Sequence, residues 1–193
     1  MSKTRDKILD AANALFYADG VRAVSVDAVA ERAGITKKTL YYHFRSKDDL
    51  IAAYLASRDQ PNLASFKRWF DRCEGTLEDK VAAIFDGLIR AARRPSWRGC
   101  GFLRTIAELA NMPGHPAVAI GAAHKKKFEA WLAEQLATES EISGTAEDLA
   151  RQIVVVMDGA FSAMLTHRDP SYIAAAGATA RLLVRGARSG RLD

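Results

Sequence analysis

Residues 25–43 read SVDAVAERAGITKKTLYYH, and this stretch decides the fold. Two short segments with the apolar spacing of helices flank Gly34, whose missing Cβ permits the positive φ that a tight corner requires. Small and branched apolar side chains at the junction would hold the two helices at a fixed angle: Val29, Ala30, Ala33, Ile35 and Leu40. Two short helices joined by a tight glycine turn predict a helix-turn-helix motif.

The second helix of this motif carries more polar and aromatic side chains than a core needs. Hydroxyl, cationic and aromatic groups of this kind reach phosphates and base edges in the major groove of DNA. They are Thr36, Lys37, Lys38, Thr39, Tyr41, Tyr42 and His43. We therefore predict that this helix contacts DNA, with the alternative for Tyr41 and His43 that they pack against the first helix of the chain.

Helical spacing of apolar residues continues along the rest of the chain, and no segment sustains the two-residue alternation of a strand. The predicted helices cover 4–19, a short one from 25 to Gly34, a third from 36, a fourth from 46 towards 72 with a kink or break at Pro61, and then 77–93, 101–111, 116–138, 146–167 and 171–188. The fold class is therefore all-α.

The N-terminal quarter of the chain resembles the DNA-binding domain of the TetR family. The resemblance covers residues 8–50, through the segments ILDAANALFYADG and SVDAVAERAGITKKTLYYHFRSKDDLI, and its most specific mark is TLYYHF followed by SKDDL. It implies an N-terminal three-helix helix-turn-helix DNA-binding domain at residues 1–46. It also implies a C-terminal helical domain at residues 47–193 that binds a ligand and dimerises.

The resemblance assigns a role to each matching position of the motif. Residues matching Lys37, Lys38, Thr39 and Tyr41 face the bases, and those matching Tyr42, His43 and Lys47 hold phosphates. The start of the second helix, at Ser25 and Val26, approaches a phosphate, although family members often have threonine where Val26 stands. The expected DNA-binding set is Ser25, Val26, Thr36, Lys37, Lys38, Thr39, Tyr41, Tyr42, His43 and Lys47.

For the C-terminal part, the resemblance implies a homodimer through the last two helices and an effector pocket among the middle helices. Small residues in the last helix, including Ala176 and Ala180, would allow close approach between two copies. Pocket residues are sought among aromatic and sulfur side chains, which have the alternative of being ordinary core. Asp158, a carboxylate in an apolar helix, needs a partner, which would lie either in the pocket or in the dimer interface. The candidates are Trp97, Phe102, Met112, Phe128, Trp131, Met157, Asp158 and Phe161.

Other classes of function find little support in the sequence. The four histidines stand in unrelated contexts, and the chain contains no HExxH, no CxxC pair and no glycine-rich phosphate loop, so we expect no enzyme activity, no metal and no cofactor. His115 and His124 are expected on the surface, and a redox role for Cys100 is left open. The net charge of +5 permits nucleic acid as a partner without requiring it.

The sequence thus predicts a cytoplasmic, ligand-responsive repressor that binds a palindromic operator as a homodimer. An activator of the same fold is the alternative, and a helical enzyme or an adaptor that binds no DNA is disfavoured. The N-terminus lacks an apolar signal core, and the longest apolar run, residues 153–157, is far shorter than the roughly 20 residues that span a bilayer. We therefore expect no membrane partner.

Overall fold

A computed structural model describes residues 3–138 and 145–188, and all regular structure within these ranges is helical. The helices are α1 (Lys3–Asp19), α2 (Val26–Arg32), α3 (Lys37–His43), α4 (Lys47–Asp71), α5 (Leu77–Ala92), α6 (Gly101–Glu108), α7 (Pro116–Leu136), α8 (Ala146–His167) and α9 (Ser171–Arg188). The predicted all-α class and the predicted order of helices are confirmed.

Two helix predictions differ from the structure in detail. α4 continues through Pro61 as one helix, although proline has no N–H to donate to the carbonyl one turn earlier. α6 ends at Glu108 instead of residue 111, and single turns follow it, with Met112 N–H donating to the Leu109 carbonyl at 2.8 Å. The proline after Met112 disfavours the α conformation at that residue, so the helix does not continue into the following turn.

The chain forms two compact units. The first runs to Pro61 and takes in Cys100–His124, and the second comprises Asn62–Gly99 and the chain from Lys125 onward. The first unit therefore extends beyond residue 46, where the sequence placed a domain boundary. The reason lies in its core, where apolar residues of α6 and α7 join those of the first four helices.

The core of the first unit is built from one apolar face of each of its helices. Its fully buried members come from α1, α2, α3, α4, α6 and α7, and include Ile8, Ala12, Val29, Leu40, Leu50, Leu55, Phe102 and Ala117. Leu40 is the buried residue of α3, so that helix is held by a single large side chain on its inner face. The opposite face of α3 is left to solvent.

In the second unit α9 packs against α5 and α8. The approach to α5 is close: a Cβ added at Gly177 would stand 2.8 Å from Cβ of Phe85. Ala176 and Ala180 lie on the same inward face and are buried within the chain. The expectation that these two alanines mediate contact between copies is wrong, because the small residues serve packing inside one chain.

The length and composition of α8 alone would suffice for a membrane span, with a mean hydropathy of 1.3 over its most apolar window. Core helices of soluble proteins can be equally long and apolar, so the length and hydropathy of α8 are weak evidence for a membrane span. The buried stripe of α8 includes Leu149, Ile153, Met157 and Phe161, and the helix packs against α9.

Candidate nucleic-acid interface

The turn between α2 and α3 is closed by backbone hydrogen bonds. Gly34 has φ of +67° and donates to the Glu31 carbonyl at 3.0 Å, and Ile35 donates to the Ala30 carbonyl at 3.0 Å. A residue with a Cβ is strained at this φ, which explains why glycine stands at the corner. The turn therefore sets the direction in which α3 leaves α2.

Both motif helices begin with a hydroxyl cap. Ser25 Oγ accepts from the Ala28 N–H at 3.1 Å, and Thr36 Oγ1 accepts from the Thr39 N–H at 3.1 Å. The hydroxyl oxygens of Thr36 and Thr39 are also 2.9 Å apart. These caps satisfy amides that a helix start leaves unpaired. Three hydroxyls that were expected at DNA thus have a structural role in the free protein.

The outer face of α3 presents aromatic and cationic groups to solvent. Tyr42 is 86% exposed, Tyr41 is 43% exposed, and Lys38 is also exposed. The half-buried ring of His43 meets the Tyr42 ring edge-on, with centroids 5.1 Å apart. Val26 is buried, so its side chain cannot reach DNA and only its backbone N–H could.

Lys37 forms an ion pair that sequence reasoning missed. Its Nζ lies 3.0 Å from Asp27 Oδ2 of α2, and both side chains are largely exposed. The hydrogen bond to Asp27, together with the charge of that carboxylate, raises the pKa of Lys37 above its ordinary value. Lys37 is therefore cationic at neutral pH, and it must leave or share Asp27 to contact a base.

Lys47 lies at the start of α4 and is tied to the loop that follows α1. Its Nζ donates to the Arg22 carbonyl at 3.3 Å. Burial lowers the pKa of Lys47, and the charges of Asp48 and Glu108 oppose that effect. The loop is held in turn by Glu108 of α6, whose Oε2 accepts from the Arg22 N–H at 2.8 Å. α6 thus helps to place a residue that the resemblance assigns to phosphate.

The candidate pocket residues do not form one group. Phe102 is buried in the core of the first unit, where its ring stacks on His124 with centroids 3.7 Å apart, and Met112 is 44% exposed in the turn after α6. The other six belong to the second unit. There the rings of Trp97 and Phe161 stack with centroids 6.4 Å apart.

The remaining members of the second-unit set are also partnered. Phe128 lies 5.8 Å from Trp131 between ring centroids, and Met157 is buried. Asp158 pairs with Lys125, so the partner that a carboxylate in an apolar helix requires is a lysine of α7. These contacts suit a core as well as the wall of a pocket.

The two histidines expected on the surface are buried, and that expectation is wrong. His124 Nδ1 lies 2.7 Å from Asp59 Oδ1, a carboxylate contributed by α4. His115 Nδ1 accepts from the Ala117 N–H at 3.1 Å at the start of α7. The contact between His124 and Asp59 joins residues 65 positions apart, which helical spacing along the sequence does not reveal. No cluster of three or more potential metal ligands occurs among residues 3–138 and 145–188.

Sequence comparison places the motif in a known family. Residues 8–54 match the family model described as bacterial regulatory proteins, tetR family. The chain is 42% identical over 59 residues to the HTH-type transcriptional regulator SrpR of Pseudomonas putida, which is 31% of this chain and 28% of that protein. It is 32% identical over 95 residues to the HTH-type transcriptional regulator TtgR, also of Pseudomonas putida, which is 47% of this chain and 45% of that protein. Each alignment thus spans less than half of the curated relative.

Structural comparison extends over nearly the whole chain. The reduced form of NemR from Escherichia coli matches with a TM-score of 0.83, covering 93% of this chain and 95% of that one, and at 18% identity it shows the fold alone. A TetR-family transcriptional regulator from Streptomyces coelicolor is 30% identical, covers 96% of each chain and has a TM-score of 0.83. With a relative of this identity aligned along nearly its full length, and the motif matched in order, the chain belongs to the TetR family of bacterial transcriptional regulators.

Proposed function

We propose that the chain is a cytoplasmic transcriptional repressor that binds a roughly palindromic operator as a homodimer and is released by a small-molecule effector. The observation that carries the proposal is the division of α3 into two faces. Leu40 holds the helix to the core, while Lys38, Tyr41 and Tyr42 face solvent with no core function. Such a helix suits the major groove, where base edges are read.

Dimerisation is supported by a second exposed face, on α8 and α9. Val155 is 66% exposed and Leu182 is 63% exposed, although both are large and apolar. A small residue stands four positions from each on the same helix: Gly159 has open space around its Cβ position, and Ala178 is exposed. A second copy would cover this apolar surface. It would also supply a second α3, and two such helices about 34–36 Å apart reach successive major grooves.

An activator of the same fold is the second candidate, because α3 would contact DNA in the same way in a repressor and in an activator. The position of the operator relative to the promoter distinguishes a repressor from an activator. An enzyme is disfavoured because the chain belongs to a family of transcriptional regulators.

The test is selection of duplexes from a random pool, followed by affinity measurement on the best site. We expect a two-fold symmetric sequence bound by two chains. Binding without sequence preference would contradict a specific regulator.

Two lysines then separate base reading from phosphate contact. Lys37→Ala should change the preferred bases and weaken the best site by about tenfold, as loss of a base contact does. Lys47→Ala should weaken all sequences alike and reduce the salt slope by about one unit. The matched control is Lys126→Ala, which removes an exposed lysine paired with Glu129 at 3.0 Å on α7. An unchanged base preference in Lys37→Ala would remove that residue from base reading.

The effector switch has its own test. A ligand relieves repression only if it binds the conformation that cannot hold DNA more tightly than the one that can. Saturating operator should therefore weaken ligand binding by the same factor by which ligand weakens operator binding. A ligand that binds without changing operator affinity would contradict this switch.

A further inference from the structure

Arg58 of α4 is a cation held by aromatic rings in the first unit. Its Cζ lies 4.3 Å from the ring centroid of Tyr17 and 5.6 Å from that of Tyr54. Its Nε is buried and makes no hydrogen bond. Arg58 is half-buried, and within residues 3–138 and 145–188 no carboxylate forms an ion pair with it, although charges withdrawn from water are ordinarily paired.

The surroundings of Arg58 add positive charge. Arg104 of α6 donates from Nη1 to the Tyr17 carbonyl at 2.7 Å. Burial raises the pKa of the Tyr54 hydroxyl, and the two guanidinium groups of Arg58 and Arg104 oppose that rise, so both cations act on one hydroxyl. Tyr54 thus remains a neutral O–H group at physiological pH.

The first turn of α6 approaches the same place. A Cβ added at Gly101 would stand 3.1 Å from Tyr54 Oη and 3.2 Å from Arg58 Nε, so a larger residue there would displace these side chains by a few tenths of an ångström. Cys100, the N-cap residue, supplies no side-chain hydrogen bond to the helix start. Backbone N–H groups at a helix start favour an anion, as the two arginines do.

The nearby carboxylates are engaged elsewhere. Asp59, the next residue along α4, lies 2.7 Å from His124, and Glu108 accepts from Arg22. In the described part of the chain the terminal nitrogens of Arg58 make no hydrogen bond, and the residue as a whole is only half-buried. The guanidinium therefore has an enclosed Nε edge and an accessible end that can donate to a ligand.

We propose that the accessible end of Arg58 binds the carboxylate of a small organic effector, so that the natural ligand of this regulator is an organic acid. The proposal rests on the effector switch proposed above and names its chemistry. A guanidinium matches a carboxylate because two parallel N–H···O bonds form in one plane. The rings of Tyr17 and Tyr54 pack against the guanidinium and restrain it.

The probes are benzoate and octanoate, each compared with its uncharged amide. Calorimetry on the full chain should detect both acids up to about 10 mM, since ligands of this size reach at best moderate affinity. We expect each amide to bind at least tenfold more weakly than its acid. Arg58→Met should reduce acid binding at least tenfold, whereas Arg72→Met, at an exposed arginine just after α4, should leave it unchanged.

Two further measurements separate binding from a purely structural role. Arg58→Lys keeps the charge but loses the planar pair of donors, and it should also weaken acid binding while the fold is retained. Thermal unfolding of Arg58→Met and Arg58→Lys without probe is measured beside that of the wild type, so that a loss of acid binding is scored only on folded protein. Full acid binding by either variant would overturn the proposal, and so would equal binding of acid and amide or no binding of either acid.

Competition identifies the anion. Inorganic phosphate that displaces benzoate at equal concentration would overturn the assignment to a carboxylate. Operator affinity is measured on the same proteins. Acid binding without any DNA binding would contradict the proposed function and leave the Arg58 site standing, whereas DNA binding without acid binding would do the reverse.

Discussion

Replacing Gly34 with alanine is expected to destabilise the protein through backbone conformation alone. Gly34 has φ of +67°, and nothing lies within 4 Å of the position that a Cβ would take. The substitution therefore creates no clash, and its cost is that of an L-residue in the left-handed region, about 1–2 kcal/mol. In a chain of this size each kcal/mol corresponds to about 2–4 °C in unfolding temperature, so a fall of about 2–8 °C is expected.

Gly114→Ala is the matched control for this prediction. Gly114 lies in the same compact unit, also has open space around its Cβ position, and does not have a left-handed φ. Alanine there should leave stability unchanged or raise it by about 0.4–1 kcal/mol, because the unfolded chain loses freedom. Thermal unfolding and operator affinity are measured for both variants. Equal stability changes at the two glycines would refute the conformational account of the turn.

Two further predictions concern the second unit. Ala178→Arg should give a monomer by light scattering and lower operator affinity by more than about tenfold, because the α3 helices of two copies bind the operator jointly. Ala64→Arg, at an exposed position of α4, should remain dimeric. A dimeric Ala178→Arg would place the interface elsewhere. Burial raises the pKa of Glu78, but its hydrogen bonds, including that from Arg188 at 2.9 Å, bring the pKa below its ordinary value. A carboxyl with a lowered folded-state pKa stabilises above its unfolded pKa and loses that contribution as pH falls through the folded value. As the pH is lowered below about 4.5, the urea concentration at the unfolding midpoint should therefore decrease more in the wild type than in Glu78→Gln. The control Glu147→Gln, at an exposed residue of α8, should behave like the wild type. Parallel pH dependence in the wild type and Glu78→Gln would contradict the role of this pair.

Much of the fold could be predicted from the sequence because helix formation is local. Apolar residues three and four positions apart, hydroxyl caps and glycine stops act within a few residues, and they place the helices of the motif within a residue or two of the observed ends. The corner at Gly34 is a property of the same short stretch. The candidate DNA-binding positions follow from that stretch and from the family that it resembles.

The sequence-based predictions were wrong for residues whose contact partners lie far away in the sequence. Ala176 and Ala180 suit close helix packing of any kind, and spacing alone does not say whether the neighbour is α5 or a second copy of α9. His115 and His124 read as surface polar residues, yet both are buried. His124 meets a carboxylate that lies 65 positions earlier in the chain.

Taken by itself, the sequence determined the helical class, the order of the helices and the position of α3, since each depends on interactions between residues close together in the chain. Only the tertiary structure decided which charges are paired. Lys37 meets Asp27 of another helix, while Arg58 lies between Tyr17 and Tyr54 with no carboxylate paired to it among the described residues. The physical reason is that ion pairs and buried polar contacts depend on how helices cross, and the crossing is set by packing along the whole chain.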